Sequence, residues 1–391
     1  GEASLEETLA ALSSLADRLL DAASQVAARQ MLDRFGVVRN ERGEAVSLVV
    51  LGMGKLGGGE LNFSSDIDLV FLYPGGEASD GERVLSAPEY FARLTRHIVA
   101  LLDEVTRDGF VFRIDTRLRP FGDSGPPVVS FAALESYLTQ HGRGWERYAY
   151  VKARAVGPRP PQAVLQDLHD NLIVPFVFRR YLDFGVFESL REMQALIAAE
   201  VRRRELADNV KLGPGGIREI EFIVQSLQLV RGGSRVELQE RQLRKVLPRL
   251  VGHHGMSAAE AKKLDDAYCY LRRVENFIQG IRDRQTHELP AGETDRARLC
   301  LAMGYPGWEA LTRDLNEHRA EVTRQFERVA LRDRDRSADD SLKDSVLKLW
   351  DRDASAEDWT RLLTAEKFVA ADGLGAAIAQ FAASRLLQRI D

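Results

Sequence analysis

Two short apolar runs joined by a glycine-rich turn constrain the fold of this chain more than any other feature. The stretch begins at Gly52 and reads GMGKLGGGELNFSSDIDLVFLY. With the preceding residues SLVVL, it predicts one buried strand, a turn and a second strand, DIDLVFLY. The eight residues between Gly57 and Asp66 leave no room for the long helix that follows the glycines of a dinucleotide-binding fold. The hydroxyl of an ATPase phosphate loop is also missing, because Leu56 follows Lys55.

Two aspartates in the second run, Asp66 and Asp68, are the first candidates for chemistry. Residues two apart on a strand point to the same face, which places these carboxylates about 6.5 Å apart. At an effective dielectric of 20 they repel by roughly 2.5 kcal/mol, so we expect a cation between them. Carboxylate oxygens on a rigid strand suit Mg²⁺ or Mn²⁺. An exposed strand edge whose charges deter aggregation is the alternative.

A third strand is predicted for FVFRIDTRLRP, which ends at Pro120. It places Arg113, Asp115 and Arg117 on one face, with Arg119 one step further. A third carboxylate flanked by guanidinium groups is the arrangement that two metal ions and a polyphosphate require.

Hydrophobic periodicity divides the chain into four predicted segments. A helix over residues 4–34 precedes the strands, and the run PEYFARLTRHIVALLDEVTR predicts another helix between the second and third strands. Beyond GPRPP the pattern is helical throughout. The predicted class is α+β: a small mixed sheet domain with helices, followed by a mainly α-helical bundle domain. The segments are an N-terminal helical segment 1–44, a sheet domain 45–157, a helical bundle 162–335 and, after a charged linker at 332–341, a short C-terminal helical segment 342–391.

Composition narrows the function classes. The formal net charge of −5 gives no basic field for a nucleic-acid backbone, so no nucleic-acid partner is expected. No apolar run reaches the roughly 18 residues of a membrane span, and two cysteines are too few for a disulfide framework. We therefore expect a cytoplasmic protein without membrane contact. Because the chain starts with Gly and ends inside a helical pattern, we also expect a piece of a longer polypeptide.

Four motifs carry a family resemblance. They are GMGKLGGGELNFSSDIDLVFLYP, GFVFRIDTRLRPFGDSGP, GWERYAYVKARAVG and KLGPGGIREIEFIVQ. Their order resembles the nucleotidyltransferase superfamily and, more closely, the bifunctional glutamine synthetase adenylyltransferase/adenylyl-removing enzymes. The wording ELNFSSDIDL, LRPFGDSGP and LGPGGIREIEFIVQ is similar to the N-terminal, adenylyl-removing half of that family, because the adding half reads closer to ASDLDL, ARLRPSG and GGITDIEF.

The resemblance implies that the sheet domain 45–157 is a nucleotidyltransferase-type catalytic domain, and it implies both a reaction and its residues. Asp66, Asp68 and Asp115 would bind two divalent metals, Mg²⁺ or Mn²⁺, and phosphate would remove AMP from an adenylyl-tyrosine of glutamine synthetase, releasing ADP. The implied partners are glutamine synthetase, the uridylylated signal-transduction protein PII and a C-terminal adenylyltransferase half. The implied nucleotide and phosphate contacts come from Gly54, Lys55, Gly57, Gly58, Ser65, Arg113, Arg117 and Arg119. Two alternatives stay open: ATP-dependent adenylylation of the same target, and a regulatory module that binds PII and glutamine synthetase.

Two of the motifs have structural alternatives. In GWERYAYVKARAVG the polar residues either line the active-site wall or belong to an amphipathic element that packs Trp145 inward. In KLGPGGIREIEF a glycine turn begins a helix near Lys211 and Arg218. That turn is either an anion site or a helix cap with interdomain contacts.

Overall fold

The structure is a computed structural model that describes residues 3–179, 199, 206–252, 256–281, 284–335, 345–346, 349, 354–365 and 371–382. The chain divides into two compact units, Gly1–Phe326 and Glu327–Asp391. The predicted segment boundaries stay predictions. Residues 332–335 of the predicted linker are helical, and 336–341 lie outside the described residues.

A mixed five-stranded sheet forms the centre of the first unit, which confirms the predicted fold class. The central strands pair antiparallel, with Val50 opposite Phe71, and all four residues of the first are buried. The strand order is β3-β2-β1-β5, and β4 pairs with β2. The strands are β1 (Val49–Gly52), β2 (Ile67–Tyr73), β3 (Ile114–Asp115), β4 (Val128–Ser130) and β5 (Arg154–Val156).

Two long helices, α1 (Leu5–Phe35) and α3 (Ala87–Asp103), pack together and contribute to one apolar core with β1 and β2. A capping box begins α1, where Ser4 Oγ accepts a hydrogen bond from the Glu7 amide at 3.2 Å. Ile98 lies on the buried face of α3, whereas Val105, which belongs to the run predicted to be helical, lies beyond the helix end and is 75% exposed. The helix ends early because the Asp103 carboxylate accepts a hydrogen bond from the Ile114 amide, which leads the chain into β3.

The predicted continuous third strand is wrong, because only Ile114 and Asp115 form a strand. The Asp115 carboxylate accepts a hydrogen bond from the Arg117 amide at 2.8 Å, which turns the backbone out of the extended conformation. The Arg119 amide then donates to the Thr116 carbonyl at 3.1 Å. Asp115 is therefore the last strand residue before a turn.

The remainder of the described first unit is mainly helical, as predicted. The helix Ala258–Gly280 buries an apolar stripe that runs from Leu264 through Leu271 to Ile278. The other helices are α2 (Gly54–Gly57), α4 (Phe131–Gln140), α5 (Gly144–Tyr150), α6 (Gln162–Asp167), α7 (Val174–Val177), α8 (Ile217–Arg231), α9 (Leu243–Val246), α10 (Ala258–Gly280), α11 (Glu293–Met303) and α12 (Trp308–Asp335). Single turns of 3₁₀ helix occur at Gly122–Ser124, Leu206–Asp208, Val236–Gln239 and Leu247–Leu250, and Leu168–Ile173 is a π-helical segment.

In the second unit, α13 (Ala356–Ala365) packs against α14 (Ala371–Ala382). Trp359 and Leu363 are buried. Gly375 permits the close approach of the two helices, because an added Cβ would lie 2.4 Å from Thr360 Oγ1. In the part of the chain that the structure describes, no helix has the length and apolar character to cross a membrane.

Candidate active site

The turn between β1 and β2 brings the backbone of Gly54 against the side chain of Asp68. The Met53 amide donates to the Asp68 carbonyl at 2.9 Å, which fixes the turn on β2. Gly54 has a φ of +51°, and a Cβ built on it would lie 2.9 Å from Asp68 Oδ2. Both the backbone conformation and the close approach therefore require glycine at this position. The helix that follows, α2, is a single turn, which agrees with the prediction that no long helix fits here.

Asp68 is the most perturbed carboxylate among the three predicted aspartates. It lies opposite Asp115 in the parallel register of β2 and β3. Within the described residues its carboxylate has no hydrogen bond or ion pair. Burial, together with the charges of Asp115 and Asp66, raises the pKa of Asp68 to about 6 against the opposing effect of Lys211 and Lys55. A partly buried carboxylate with two carboxylate neighbours is a strong site for a cation.

Arginines hold the other two aspartates. Asp66 lies just before β2 and accepts a hydrogen bond from Arg113 Nε at 2.8 Å and another from Gln285 Nε2 at 2.5 Å. Arg117 binds Asp115 through its Nε at 2.9 Å and its terminal nitrogen at 2.5 Å. Hydrogen bonds from Arg117 lower the pKa of Asp115. These contacts direct both carboxylates toward guanidinium groups.

The donor set fits a hard divalent cation at Asp68. All three side chains supply carboxylate oxygens, and the Asp68 carboxylate lacks a counter-charge of its own in the described structure. In their present side-chain positions, no group of three or more His, Cys, Asp or Glu residues in the described part of the chain is placed to hold a metal ion. A shared ion would therefore require the Asp66 or Asp115 carboxylate to exchange its arginine contact for the ion.

Lys55 extends from the glycine turn into a buried ionic cluster on α10. Its Nζ lies 2.7 Å from Glu275 Oε1 and 3.4 Å from Ser65 Oγ. Burial lowers the pKa of Lys55 to about 7, although the charge of Glu275 acts in the opposite direction. Glu275 is fully buried, yet Lys55 and Arg272 hold its pKa well below its usual range against the effect of burial. Lys55 is therefore a cation whose charge depends on the pH near neutrality.

Glu275 connects several segments at this cluster, and sequence reasoning did not identify it. Asn62 Nδ2 donates to Glu275 Oε2 at 2.5 Å, and Arg272 donates to the same oxygen at 2.7 Å. His287 Nδ1 lies 2.9 Å from Glu275 Oε1. The sequence signal that could have identified Glu275 is the pair of charged residues Arg272 and Glu275 beside the apolar stripe of α10.

The remaining predicted phosphate contacts lie at or near the turn. The Gly57 amide donates to the Met53 carbonyl at 3.0 Å, and the Gly58 amide donates to the Gly54 carbonyl at 3.1 Å. Both amides are therefore already bonded within the turn. Arg119 binds the carbonyl and hydroxyl of Thr116, at 2.9 and 2.7 Å, and so braces the turn after β3. The phosphate roles of these residues stay predictions.

The motif GWERYAYVKARAVG contains a buried lysine that contacts the loop after α2. The interpretation in which Trp145 packs inward is wrong, because that residue is 45% exposed. Lys152 instead occupies the interior, with Nζ 2.9 Å from carboxylate oxygens of both Glu60 and Glu221. Burial opposes its charge, but the two carboxylates raise the pKa of Lys152 well above its usual range. Lys152 thus ties the loop after α2 to α8.

The glycine turn after Lys211 caps the helix that follows it, and Lys211 itself lies close enough to Asp68 to affect its pKa. The Gly215 amide donates to Glu219 Oε2 at 3.0 Å, as in the capping interpretation. Gly215 also lies directly against the Arg319 backbone, where a Cβ would meet the carbonyl oxygen at 2.2 Å. The Lys211 charge nevertheless lowers the pKa of Asp68. Lys211 is therefore close enough to influence the candidate site.

Two family models match parts of this chain. Residues 1–168 match the family model described as glutamate-ammonia ligase adenylyltransferase. Residues 191–330 match the model described as GlnD PII-uridylyltransferase. The first match includes the glycine turn and all three aspartates, and the second includes Lys211 and Glu275.

Proposed function

We propose that this chain, whose residues 1–168 match the glutamate-ammonia ligase adenylyltransferase family model, is a nucleotidyltransferase that acts on that ligase (glutamine synthetase) and removes AMP from its adenylylated form. The observation that carries the proposal is the position of Asp68. Its partly buried carboxylate lies beside Asp115 and Asp66 and against the glycine turn, with a pKa raised to about 6. Such a group favours a metal-assisted phosphoryl reaction over a purely structural role.

Asp66, Asp68 and Asp115 would hold the divalent cation, Mg²⁺ or Mn²⁺. When bound, the ion would supply positive charge for the attacking and leaving oxygens of an in-line displacement. The chain supplies further positive charge from Lys55 and Lys211, which both act on the Asp68 carboxylate. Below pH 7 the Lys55 ammonium is mainly charged, which suits a phosphate substrate. Arg113 and Arg117 become available for phosphate oxygens whenever their aspartates turn to the metal.

The proposed reaction is a phosphorolysis. An oxygen of inorganic phosphate attacks the phosphorus of the adenylyl group, and the bond from that phosphorus to the tyrosine oxygen breaks. The phenolate takes the bonding electron pair and then a proton, so the products are ADP and unmodified tyrosine. A phenol of intrinsic pKa about 10 is a moderate leaving group that gains from nearby positive charge.

The direction of the reaction rests on the wording of three motifs, ELNFSSDIDL, LRPFGDSGP and LGPGGIREIEFIVQ. They are similar to the adenylyl-removing half of the family. We include control by uridylylated PII and coupling to a C-terminal adenylyltransferase half in the proposal on the same resemblance.

The test is to incubate adenylylated glutamine synthetase with this chain, phosphate and Mg²⁺, and to measure ADP. Phosphate-dependent ADP supports the proposal, whereas release of AMP without phosphate contradicts the phosphorolytic mechanism. A parallel reaction with ATP and unmodified glutamine synthetase detects the opposite direction as tyrosine-linked AMP. Binding of glutamine synthetase without either reaction would leave only a regulatory module.

Asp115→Asn provides the residue-level test, because it keeps the shape of the side chain and removes a predicted metal ligand. We expect loss of turnover with the fold retained, since the Asp115 carboxylate otherwise pairs mainly with Arg117, whose side chain is 72% exposed. Asp108→Asn is the matched control, because that side chain is 82% exposed and pairs only with the neighbouring Arg107 in the described structure. Equal turnover by the two variants would remove Asp115 from the site.

A further inference from the structure

A cavity of about 430 Å³ lies beside β5, the edge strand of the sheet. Part of its wall comes from β5 and the residue before it, and the opposite wall comes from α6 and the π-helical segment that follows. Its volume lies within the range of small-molecule sites in proteins, about 300–1,000 Å³. None of the residues proposed for nucleotidyl transfer lines it. The cavity is therefore a separate feature of the fold.

The cavity contains a guanidinium group without a carboxylate partner in the described structure. Arg241 Nε donates to the Ala153 carbonyl at 2.8 Å, and its two terminal nitrogens make no hydrogen bond among the described residues. Burial and the neighbouring Arg154 lower the pKa of Arg241, and the charge of Glu240 opposes them. Among the described residues that line the cavity, Asp170 is the only acidic one, and its carboxylate lies 2.7 Å from His169 Nδ1. An excess positive charge thus faces the cavity.

The rest of the wall suits a partly apolar molecule. Leu165 and Ile173 supply aliphatic surface, while the amides of Gln162 and Gln166 supply hydrogen-bonding groups. Guanidinium groups bind carboxylates and phosphates in a two-point geometry, and both terminal nitrogens of Arg241 are available for such a contact.

We propose that this cavity is a binding site for a small organic molecule that carries one oxyanionic group, a carboxylate or a phosphate. The oxyanion binds the terminal nitrogens of Arg241, and the body of the molecule lies against Leu165 and Ile173. The proposal does not depend on the direction of the nucleotidyl-transfer reaction.

Arg154 connects this site to the glycine turn. It lines the cavity and pairs with Asp17 at 2.8 Å, while its other nitrogens donate to the Leu56 carbonyl at 3.0 Å and the Gly57 carbonyl at 3.2 Å. An oxyanion beside Arg154 attracts the same guanidinium group that holds α2 in place. Occupation of the cavity is therefore expected to alter the environment of the α2 amides.

Butyrate and butyl phosphate are suitable probes, because they share one apolar tail and differ in the oxyanion. Binding is measured by calorimetry, and the amides of α2 are followed by NMR in the same titration. We expect binding in the millimolar range for at least one probe, and the better probe identifies the preferred oxyanion. A shift of the Leu56 and Gly57 amide signals is expected on binding.

Arg241→Gln removes the charge, and we expect it to weaken binding at least tenfold. Leu165→Trp keeps the charge but fills the cavity, so it is expected to abolish binding and remains informative if the first variant folds poorly. Arg107→Gln is the control, because that side chain is 93% exposed. Failure of both probes to bind overturns the proposal, as does unchanged affinity in a folded Arg241→Gln or Leu165→Trp variant.

Discussion

Replacing Asp68 with asparagine is expected to stabilise the metal-free protein while it abolishes turnover. The pKa of Asp68 rises from 3.8 to about 6 in the fold, and each pKa unit corresponds to about 1.4 kcal/mol. The ionised carboxylate therefore costs the folded state roughly 2–3 kcal/mol after allowance for solvent screening. Asparagine has nearly the same shape and no charge, so it removes this cost.

The pH dependence has a definite sign. Because the folded-state pKa of Asp68 lies above the unfolded value, the folded state favours the protonated acid. The stability that protonation provides is complete below about pH 4 and is lost as the pH rises through about 6. The advantage of Asp68→Asn over wild type should therefore grow across this interval and reach a plateau above it.

Urea unfolding in the presence of a chelator measures this difference, followed by tryptophan fluorescence. Asp66→Asn is the matched comparison, because its carboxylate already has Arg113 at 2.8 Å and Gln285 at 2.5 Å. We expect that variant to lose about 1 kcal/mol or more of the free energy of unfolding. The two neighbouring substitutions thus have opposite predicted signs in the absence of metal.

Two results would refute the reasoning. An Asp68→Asn variant that is no more stable than wild type at high pH would show that the Asp68 charge is already compensated. A folded Asp68→Asn variant that retains turnover and Mn²⁺ binding by calorimetry would remove this carboxylate from the metal site.

Two further predictions concern the glycine turn. Gly54→Ala places a methyl group 2.9 Å from Asp68 Oδ2 at a φ of +51°, so we expect it to lower turnover and to cost about 1–3 kcal/mol of stability. The control is Gly43→Ala, where φ is +76° and no atom lies within 4 Å of the added methyl group. Equal turnover of the two variants would contradict the crowding argument. Glu275→Gln leaves a buried Lys55 without its carboxylate, so we expect the free energy of unfolding to fall by about 3 kcal/mol. The pKa of Lys55 should also fall below its wild-type value of about 7. The KM for phosphate should therefore begin to rise at a lower pH than in wild type. A KM profile that does not move with pH would assign Glu275 a purely structural role.

The central strands were predictable because their signal is local. A run of four to seven apolar residues on each side of a glycine turn has few other stable conformations. The strands β4 and β5 were not predicted, because three residues such as Arg154–Val156 have no pattern of their own. Their extended conformation results from pairing with β2 and β1, which only the tertiary structure provides.

The prediction of a long third strand was wrong for a different reason. The sequence from Phe110 to Pro120 has strand-like composition, but the Asp115 carboxylate binds the Arg117 backbone and side chain. Aspartate commonly stabilises a turn in this way. A predicted ligand thus also ends the strand that carries it, which a period-two pattern does not reveal.

The spacing placed the three aspartates near one another, whereas it gave no information on their surroundings. Their role as metal ligands stays a prediction. Glu275 lies 220 positions from Lys55, and Gln285 lies 219 positions from Asp66. Contacts over such separations depend on how the helical region packs on the sheet. In a single sequence the only trace is a set of polar residues along a helix that should be buried.

The charges around Asp68 suggest how the site exchanges its partners. Arg113 and Arg117 neutralise Asp66 and Asp115, so the Asp68 charge has no ion-pair partner within the described structure. On the proposed function, a divalent cation bound by the aspartates would displace the arginines and would leave an excess of positive charge beside the aspartates. That is the charge distribution that a phosphate dianion requires. We therefore expect the binding of metal and of phosphate to be coupled, because the first would free the groups that the second needs, and the arginines would keep the aspartates ordered in the absence of metal.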